Sequence, residues 1–337
     1  MKKKVIRTGG IQLAPSSDRK ETVSRAVSLV GLAAEKGACI VCLPQLFSLP
    51  WFPARIDESN FSLAEPADGS TVTAMREAAL KYGVVIVAPV FEKDGAVELP
   101  GQSAVFDGQL GGHADYFNTA FVIGIKGEII GRYRKVHVPQ IPLWEERTYF
   151  KAGDLGFPVF KTPFATIGVQ LCWDLFFPEG MRVLALEGSE IVFAPTASAF
   201  HHSRLKWERA LLAAAHSNGL FVFRVNRVGA EGAQEFYGRS FCAGPDGEYR
   251  VKPSGSSEGV VLADVDLAEI GAARNVWGFL KERRPAFYKK IAEQTGEDGW
   301  LAVEDGGLAI GDGGLAIGDG GLADEAGRRA GKTGRMK

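Results

Sequence analysis

Three short segments carry side chains that could do covalent chemistry, and each follows an apolar run that predicts a buried strand. They are 43–47 (LPQLF), 133–139 (YRKVHVP) and 171–174 (LCWD). Ligands of open α/β sheets collect at the carboxyl ends of the strands. There a thiolate can attack an acyl carbon while a lysine and a backbone N–H bind the oxyanion and a carboxylate carries the proton. The pattern therefore predicts acyl-transfer chemistry.

Cys172 is the candidate nucleophile. It follows the apolar run 167–171, and Pro178 precedes a predicted helix at 180–186. A strand, a sharp bend and a helix start would expose the thiol at a sheet edge, with backbone N–H groups beside it. Most cysteines in folded proteins are instead small buried hydrophobic residues. The local sequence alone favours that second interpretation, so the nucleophile hypothesis depends on the other segments.

The bulk composition is that of a globular protein and excludes several classes. The chain has 337 residues, of which 46% are hydrophobic and 23% charged, and its formal net charge is -1. This charge gives no electrostatic reason to expect nucleic acid or an anionic membrane as a partner. The apolar stretch after the basic N-terminus is too short for a secretory signal, and no apolar run is long enough to span a membrane. Four cysteines are too few for a disulfide framework. We therefore expect a cytoplasmic protein.

Predicted strands and helices alternate along most of the chain. The strands are expected at 5–13, 38–43, 84–91, 116–125, 128–134, 167–171, 190–195 and 220–226, and the helices at 21–36, 70–82, 180–186 and 207–218. Gly9-Gly10 suggests a bulge in the first strand, and segments 239–244 and 260–264 are expected to close the fold by pairing with each other. This order predicts an α/β fold within one domain, residues 1–292.

The C-terminal end differs in kind from the rest. The repeat DGGLAIG occurs at 305–311 and 312–318 and starts again at 319. Its seven-residue period is that of a coiled coil, but the glycines forbid a stable helix. Calcium-binding Gly/Asp repeats have a nine-residue period and need several copies. We therefore expect residues 293–337 to form a flexible Gly-rich tail.

Three other motifs have ordinary structural explanations. Cys39 and Cys42 match C-x-x-C, but they lie on a predicted strand and point to opposite faces, which indicates core packing. The G-x-S-x-G match at 255–259 is expected to be a loop, because no helix follows it. The pair His201-His202 and the separate His216 lack a third ligand with metal-site spacing. No phosphate-binding or dinucleotide-binding loop is present. We therefore expect neither a metal nor an organic cofactor.

Several longer segments, taken together and in order, make the sequence recognisable. They are YRKVHVP (133–139), EERTYFKAGDLGFPVF (145–160), IGVQLCWDLFFPE (167–179), APTAS (194–198), NRVG (226–229), FYGRSF (236–241) and FLKERRPAFY (279–288). The chain resembles the nitrilase superfamily of carbon–nitrogen hydrolases over residues 4–290, and most closely its N-carbamoylputrescine amidase and β-ureidopropionase branch. The resemblance implies an α/β fold, the αββα four-layer sandwich, which pairs with a second copy into an αββα–αββα dimer.

The same resemblance assigns roles to individual residues. It implies that Cys172 is the nucleophile and that Lys135 is the cation that stabilises the oxyanion. Glu146 matches the family's second glutamate, which supports the lysine and the bound substrate. The backbone N–H of Trp173 would be the other oxyanion donor.

Substrate contacts are expected from aromatic residues around this set. Trp144 and Trp173 are candidates for the wall of a narrow, largely apolar pocket, although such residues are often ordinary core. Asp174 is a third candidate for substrate binding. A polyamine derivative would require a carboxylate for its distal cation, and the sequence leaves open whether Asp174 or Glu145 meets one.

One position departs from the family pattern, because Gln45 stands where the family has its first glutamate. Glutamate can accept the thiol proton, pass it to the leaving amine and then activate water. The glutamine amide neither binds nor releases protons near pH 7. Losing a general acid–base group typically costs about two to four orders of magnitude in rate. Three explanations stay open: an inactivated variant, a natural member in which Glu145 or Glu146 does the proton work, and a binder that keeps the pocket.

The sequence thus predicts a hydrolase for a small linear amide or N-carbamoyl amine that acts through a Cys172 thioester and is impaired by Gln45. We expect a small-molecule substrate, no nucleic acid or membrane partner, and a homodimer or larger homo-oligomer. The alternative is a catalytically inactive nitrilase-like binding or regulatory protein. A third hypothesis is an acyltransferase that passes the same thioester to an amine.

Overall fold

The computed structural model of the protein describes residues 5–95 and 115–293. Its chain divides into two compact units, one that ends at Arg283 and one that begins at Arg284. The predicted tail at 293–337, apart from its first residue, and all of its DGGLAIG repeats lie outside the described residues. In the second unit, the described part contains a 3₁₀ turn at Pro285–Phe287 and the helix α6 at Lys289–Glu293.

The first unit is built on two six-stranded mixed sheets. The first sheet has the strand order β14-β1-β2-β3-β4-β5 and the second has the order β13-β12-β9-β8-β7-β6. The first sheet consists of β1 (Val5–Gln12), β2 (Ile40–Cys42), β3 (Val85–Asp94), β4 (Asp115–Ile123), β5 (Ile129–Arg134) and β14 (Gly259–Asp266). The second consists of β6 (Val159–Lys161), β7 (Thr166–Val169), β8 (Ile191–Thr196), β9 (Phe221–Asn226), β12 (Phe241–Ala243) and β13 (Tyr249–Val251). A separate hairpin joins β10 (Val228–Glu231) to β11 (Gln234–Tyr237).

Helices cover the outer faces of both sheets, which confirms the predicted αββα sandwich. The helices are α1 (Arg19–Glu35), α2 (Ser70–Tyr82), α3 (Pro178–Leu186), α4 (Arg204–Asn218) and α5 (Ala268–Val276). Alternate residues of the central strands point to opposite faces. On β3, Val85 and Val87 enter the core between the two sheets. Ile86 and Ala88 enter the core under α1 and α2. The corresponding core of the second sheet lies under α3 and α4.

Local signals explain where the helices begin and end. Asp18 caps α1, because its carboxylate accepts the backbone N–H of Lys20 at 2.8 Å. Pro178 occupies the first turn of α3, where a missing N–H costs nothing. Gly83 ends α2 in the left-handed conformation that a side chain would strain.

Two sequence predictions about strands were wrong. Segment 239–244 does not pair with 260–264: β12 lies in the second sheet beside β9, whereas β14 runs antiparallel to β1 in the first. The pairing of β1 with β14 is continuous, so Gly9-Gly10 does not form a bulge. Gly10 instead lies where the sheets approach, since a Cβ there would come within 2.8 Å of the Val225 side chain. The predicted hairpin of β4 and β5 is confirmed.

The described helices include none with both the length and the apolar character needed to cross a bilayer.

Candidate active site

Three strand ends bring the predicted residues to one end of the sandwich. Gln45 follows β2 and Lys135 follows β5 in the first sheet, whereas Cys172 follows β7 in the second. Glu146 begins a short 3₁₀ turn at Glu146–Thr148. Less than a twentieth of each of these four side chains is exposed. The polar residues from the first sheet thus face a thiol from the second across a water-poor space.

Glu146 is the common hydrogen-bond partner in a buried polar cluster that also contains Lys135, Gln45 and Asn118. One carboxylate oxygen, Oε2, accepts a short hydrogen bond from Lys135 Nζ and longer ones, both at 3.4 Å, from the side-chain amides of Gln45 and Asn118. Burial raises the pKa of the Glu146 carboxyl, and the Lys135 ammonium opposes that rise. Asn118 is a residue that sequence reasoning missed. Its only sequence signal is the polar pair Asn118-Thr119 within β4, and such a pair does not indicate which residues it will contact.

The same cluster contains buried oxygens that accept no hydrogen bond from the described chain. They are Gln45 Oε1, Asn118 Oδ1 and Glu146 Oε1. Buried polar atoms in folded proteins are nearly always satisfied, so such a group is typical of a place where a ligand or water donates. Acceptors at these positions suit a substrate that carries N–H groups.

Cys172 stands at a strained backbone position. Its φ is 48°, in the left-handed region that residues with a Cβ seldom adopt. It opens the 3₁₀ turn Cys172–Phe176, directly after the backbone leaves β7. The first N–H groups of such a turn have no partner within it. The N–H of Trp173 is therefore placed beside the thiol, where a developing oxyanion could accept it.

The protonation of Cys172 reflects opposing influences. Burial raises the pKa of the thiol above its ordinary value. The Lys135 ammonium lowers that pKa, whereas the Glu146 carboxylate raises it. The backbone N–H of Ala197 donates to the sulfur and favours the thiolate, and the Arg224 guanidinium also lowers the pKa. The balance leaves a protonated thiol at rest, so nucleophilic attack requires a proton acceptor.

Asp174 braces the turn that carries Cys172. Its carboxylate is fully buried and accepts the Tyr133 hydroxyl at 2.7 Å and the Leu171 N–H at 3.0 Å. The other oxygen accepts the backbone N–H of His137 at 2.8 Å and lies 2.8 Å from its ring Nδ1. These contacts join the end of β7 to the segment after Lys135, so the carboxylate is directed into the protein interior.

Arg227 fixes the turn that carries Gln45. Its guanidinium is fully buried and donates to the carbonyls of Gln45, Leu46 and Leu49 at 3.3, 3.0 and 2.9 Å. Glu231 accepts from the same guanidinium at 2.6 Å. Leu46 has a φ of 50°, which strains a non-glycine residue. The buried arginine thus stabilises a turn that the chain would otherwise avoid.

Asn226 fixes the loop that follows β8. Its Oδ1 accepts the Thr196 hydroxyl and the Ser198 N–H, both at 2.8 Å. Ala197 lies between these two residues and donates its N–H to the Cys172 sulfur. Its carbonyl accepts Trp144 Nε1 at 3.0 Å. A buried amide therefore positions both a partner of the thiol and a wall of the cavity beside it.

A cavity of about 380 Å³ opens over Cys172. The predicted residues Trp144 and Trp173 belong to its wall, whereas Asp174 does not. Glu145, the other proposed contact for a distal cation, is also absent from the wall and accepts a hydrogen bond from Gln140 instead. Among the described residues, the wall consists of Pro139, Ile141, Trp144, Cys172, Trp173, Phe176, Ala197, Ser198, Ala199, Phe200, His202, Ser203, Lys206 and Trp207.

Residues 5–95 and 115–293 contain no group of three or more His, Cys, Asp or Glu side chains arranged to hold a metal ion.

A thiol on a strained turn beside a buried ammonium–carboxylate pair is an arrangement that can perform cysteine-dependent acyl transfer. Residues 7–275 match the family model "Carbon-nitrogen hydrolase". The chain is 34% identical over 312 residues to N-carbamoylputrescine amidase of Solanum lycopersicum, with 88% of this chain and 98% of that protein covered. It is 31% identical over 312 residues to beta-ureidopropionase of Arabidopsis thaliana, with 86% of this chain and 73% of that protein covered.

A solved structure agrees with these sequence matches. The carbon-nitrogen hydrolase from Helicobacter pylori G27 is similar with a TM-score of 0.77 and 31% identity, over 86% of this chain and 99% of that one. The chain therefore belongs to the carbon–nitrogen hydrolase family of the nitrilase superfamily, as its motifs predict.

The first prediction concerns Asp174. We expect Asp174→Asn to lower the free energy of unfolding by about 2–4 kcal/mol, because the new amide nitrogen must face two buried donors in place of an acceptor. Urea denaturation measures the change. Asp115→Asn is the control, because that half-exposed carboxylate pairs with Lys151 at the surface and its loss should change the stability by less than about 0.5 kcal/mol. Equal stability of Asp174→Asn and the parent chain would contradict the bracing role.

The second prediction concerns the Cys172 thiol. Because burial raises its pKa, we expect iodoacetamide to react slowly at neutral pH and about tenfold faster for each unit of pH until the raised pKa is approached. Intact-mass measurement follows the reaction, Cys172→Ala supplies the background from other cysteines, and glutathione is the reference thiol. A rate that levels off at lower pH than the rate of glutathione would refute a raised pKa.

Proposed function

We propose that this chain cleaves a small linear amide or N-carbamoyl amine through a thioester on Cys172. The observation that carries the proposal is the placement of the thiol at the base of an apolar cavity, next to the buried pair of Lys135 and Glu146. An oxyanion that forms over the thiol would lie in a low-dielectric space, where one ammonium and one backbone N–H have their greatest effect.

The reaction has two half-reactions in this proposal. The sulfur of Cys172 attacks the carbonyl carbon, the C–N bond breaks, and the thiol proton leaves with ammonia. Water then adds to the thioester and restores the thiol. An amide gives a carboxylic acid, whereas an N-carbamoyl amine gives carbon dioxide and the free amine. Lys135 Nζ and the Trp173 N–H stabilise the oxyanion in both steps, and neither step calls for a metal or an organic cofactor.

The buried oxygens of the cluster that accept no hydrogen bond can bind the nitrogen of the substrate. A carbamoyl or primary amide group carries two N–H donors on its terminal nitrogen. Gln45 Oε1 and Glu146 Oε1 are buried acceptors in the same cluster as Lys135. Pairing them with these donors orients the carbonyl carbon toward Cys172 and satisfies atoms that the chain leaves without a partner.

Gln45 limits proton transfer in this scheme. Its Nε2 donates toward Glu146, so the side chain is held in place as a hydrogen-bonding group. It cannot take up the thiol proton or activate water. Glu145 is an unsuitable substitute base, because its carboxylate meets Gln140 away from the cavity. Glu146 is the remaining carboxylate of the cluster, and Lys135 already occupies one of its oxygens.

A second candidate function follows from the same glutamine. The chain could be a catalytically inactive binding or regulatory protein that retains the pocket and its acceptors. Such a protein would bind the amide at the cluster without releasing ammonia. The acyltransferase hypothesis differs again, because added amines would then receive the acyl group in place of water.

The third prediction tests the role of position 45. We expect Gln45→Glu to raise kcat at least about a hundredfold on one of N-carbamoylputrescine, N-carbamoyl-β-alanine or a simple ω-amide, because it restores a general acid–base group. Ammonia release is the measurement. Asn275→Asp is the control, since it also changes a side-chain amide to a carboxylate, at an exposed position of α5, and should leave kcat as in the parent chain.

Mass spectrometry of the parent chain separates the candidate functions. An adduct on Cys172 that accumulates with substrate supports attack with slow release. No gain in the Gln45→Glu variant and no adduct would instead favour the binding protein. Acyl transfer to an added amine, in preference to water, would favour the acyltransferase.

The fourth prediction concerns the stability of the Gln45→Glu variant. A glutamate buried beside Glu146 should have a raised pKa, because burial and a neighbouring like charge both disfavour its ionised form. An acid whose pKa is higher in the folded state binds more protons folded than unfolded, so stability falls as pH rises from the unfolded pKa to the folded one. We expect a loss of about 1.4 kcal/mol per unit of pKa difference.

Denaturation at about pH 5 and about pH 8 measures this loss. The variant should be further below the parent chain in stability at the higher pH. The exposed Asn275→Asp control should show no such dependence. A difference between variant and parent that is the same at both pH values would rule out a raised pKa at position 45.

We propose that residues 1–292 act as one catalytic domain. We also propose that the protein works in the cytoplasm as a homodimer or larger homo-oligomer. The resemblance to the nitrilase superfamily supports the pairing.

A further inference from the structure

Apart from the Cys172 thiol, the ionisable side chains among the described residues of the cavity wall are a lysine and a histidine. Lys206 lies on the first turn of α4 and is exposed, and His202 lies on the preceding 3₁₀ turn. No Asp or Glu is among the described residues that line the cavity. The ammonium of Lys206 forms no salt bridge within the described part of the chain. The mouth of the cavity therefore presents an unneutralised positive charge.

Two acidic side chains on elements next to the cavity wall, Glu208 and Glu235, have other partners. Glu208 follows Trp207 on α4, but its carboxylate accepts the Arg239 guanidinium at 2.6 Å and the Tyr249 hydroxyl at 2.6 Å. Glu235 lies 3.5 Å from the ring of His201 at the surface. These contacts engage both carboxylates with groups other than Lys206.

A second cation lies behind the cavity wall. The Arg224 guanidinium is fully buried, with its carbon 5.2 Å from the ring centroid of Trp207, which is itself a wall residue. Its donors meet the Arg239 carbonyl and the Tyr237 hydroxyl, which are neutral groups, and its Nε has no hydrogen-bond partner among the described residues. Glu208 acts on Arg224 electrostatically, but no carboxylate of the described chain forms a salt bridge with it. Lys206 and Arg224 together make the potential on this side of the cavity positive.

We infer that the substrate carries a carboxylate at the end distal to the scissile C–N bond, and that Lys206 is the residue that selects it. This inference rests on the proposed function, because it concerns the far end of the same cavity. A distal ammonium, such as that of N-carbamoylputrescine, would meet like charges and no carboxylate, which disfavours it directly. The volume of about 380 Å³ is near the lower end for small-molecule sites, so the chain between the two ends is short.

The test compares three ureas of equal length that differ only in distal charge. They are 4-ureidobutyrate (anionic), n-pentylurea (neutral) and N-carbamoylputrescine (cationic). Protection of Cys172 from iodoacetamide reports binding to the parent chain and does not require turnover. Ammonia release by the Gln45→Glu variant reports catalysis. Both should rank the anion first and the cation last, with about tenfold between anion and neutral compound, as for one charge-assisted hydrogen bond.

Variants of Lys206 connect this ranking to one residue. Lys206→Gln should remove the preference for the anion and leave protection by n-pentylurea unchanged. Lys206→Glu should favour the cation over the anion. Lys20→Glu makes the same charge change at an exposed position at the start of α1 and should keep the parent ranking. Because Lys206 is exposed, about 0.5 M salt should also weaken the preference for the anion.

The outcomes distinguish the two proposals. If n-pentylurea protects and is cleaved as well as 4-ureidobutyrate, or if the cation ranks first, the inference about Lys206 is overturned while the proposed function stands. The inference is likewise overturned if Lys206→Glu keeps the parent ranking. If neither the three ureas nor a simple ω-amide protects Cys172, and the Gln45→Glu variant cleaves none of them, the proposed function itself fails.

Discussion

The buried ion pair of Lys135 and Glu146 is the interaction on which the site depends. Neither side chain has appreciable exposed surface, and each charge alone would be costly to bury. Paired, they place an ammonium within the electrostatic reach of Cys172 without leaving a net charge in the interior. Removing either partner would strand the other, which is more costly than losing a surface pair. The pair therefore makes one region of the chain, 135–146, a rigid side of the cavity.

The other sides are held by buried polar side chains that bond to backbone. Asp174 holds the turn after β7, Arg227 the turn after β2, and Asn226 the loop after β8. Two of the residues on these turns, Leu46 and Cys172, have positive φ values. Strained backbone persists only where its surroundings determine it. Here the buried polar side chains, each with several hydrogen-bond partners, hold the turns in place. They keep Cys172 in a backbone conformation that an unconstrained chain would rarely adopt.

The sequence predicts this fold well where a local pattern decides the outcome. Alternating apolar residues fix the faces of β3 and β8, and capping residues fix the ends of α1 and α2. The same pattern cannot choose a strand's neighbour, because β14 and β12 have similar apolar character and either could pair with the other. Only the packing of the whole sandwich sends β14 back to β1, and it uses Gly10 for close approach of the sheets.

The site is predictable to a similar extent. Motifs at strand ends predict which segments meet, since Gln45, Lys135 and Cys172 all follow buried strands. The motifs do not predict which way each side chain points. Asp174 is two residues from Cys172, but the tight turn between them directs its carboxylate inward to Tyr133. Asn118 and Thr119 are adjacent polar residues in β4, and only the folded sheet brings Asn118 to Glu146 and Thr119 to Glu92.

A neutral side chain at position 45 affects the two half-reactions unequally. In the first, the substrate itself can accept the thiol proton as the sulfur adds, because the departing nitrogen becomes basic once the tetrahedral intermediate forms. In the second, water must lose a proton, and the ammonia that could have taken it has left. Glu146 is the carboxylate at hand, but its charge already stabilises Lys135, and protonating it would leave that ammonium without its buried partner. Hydrolysis of the thioester is therefore the step at which Gln45 matters most, whereas Lys206 acts earlier, on which substrate reaches Cys172.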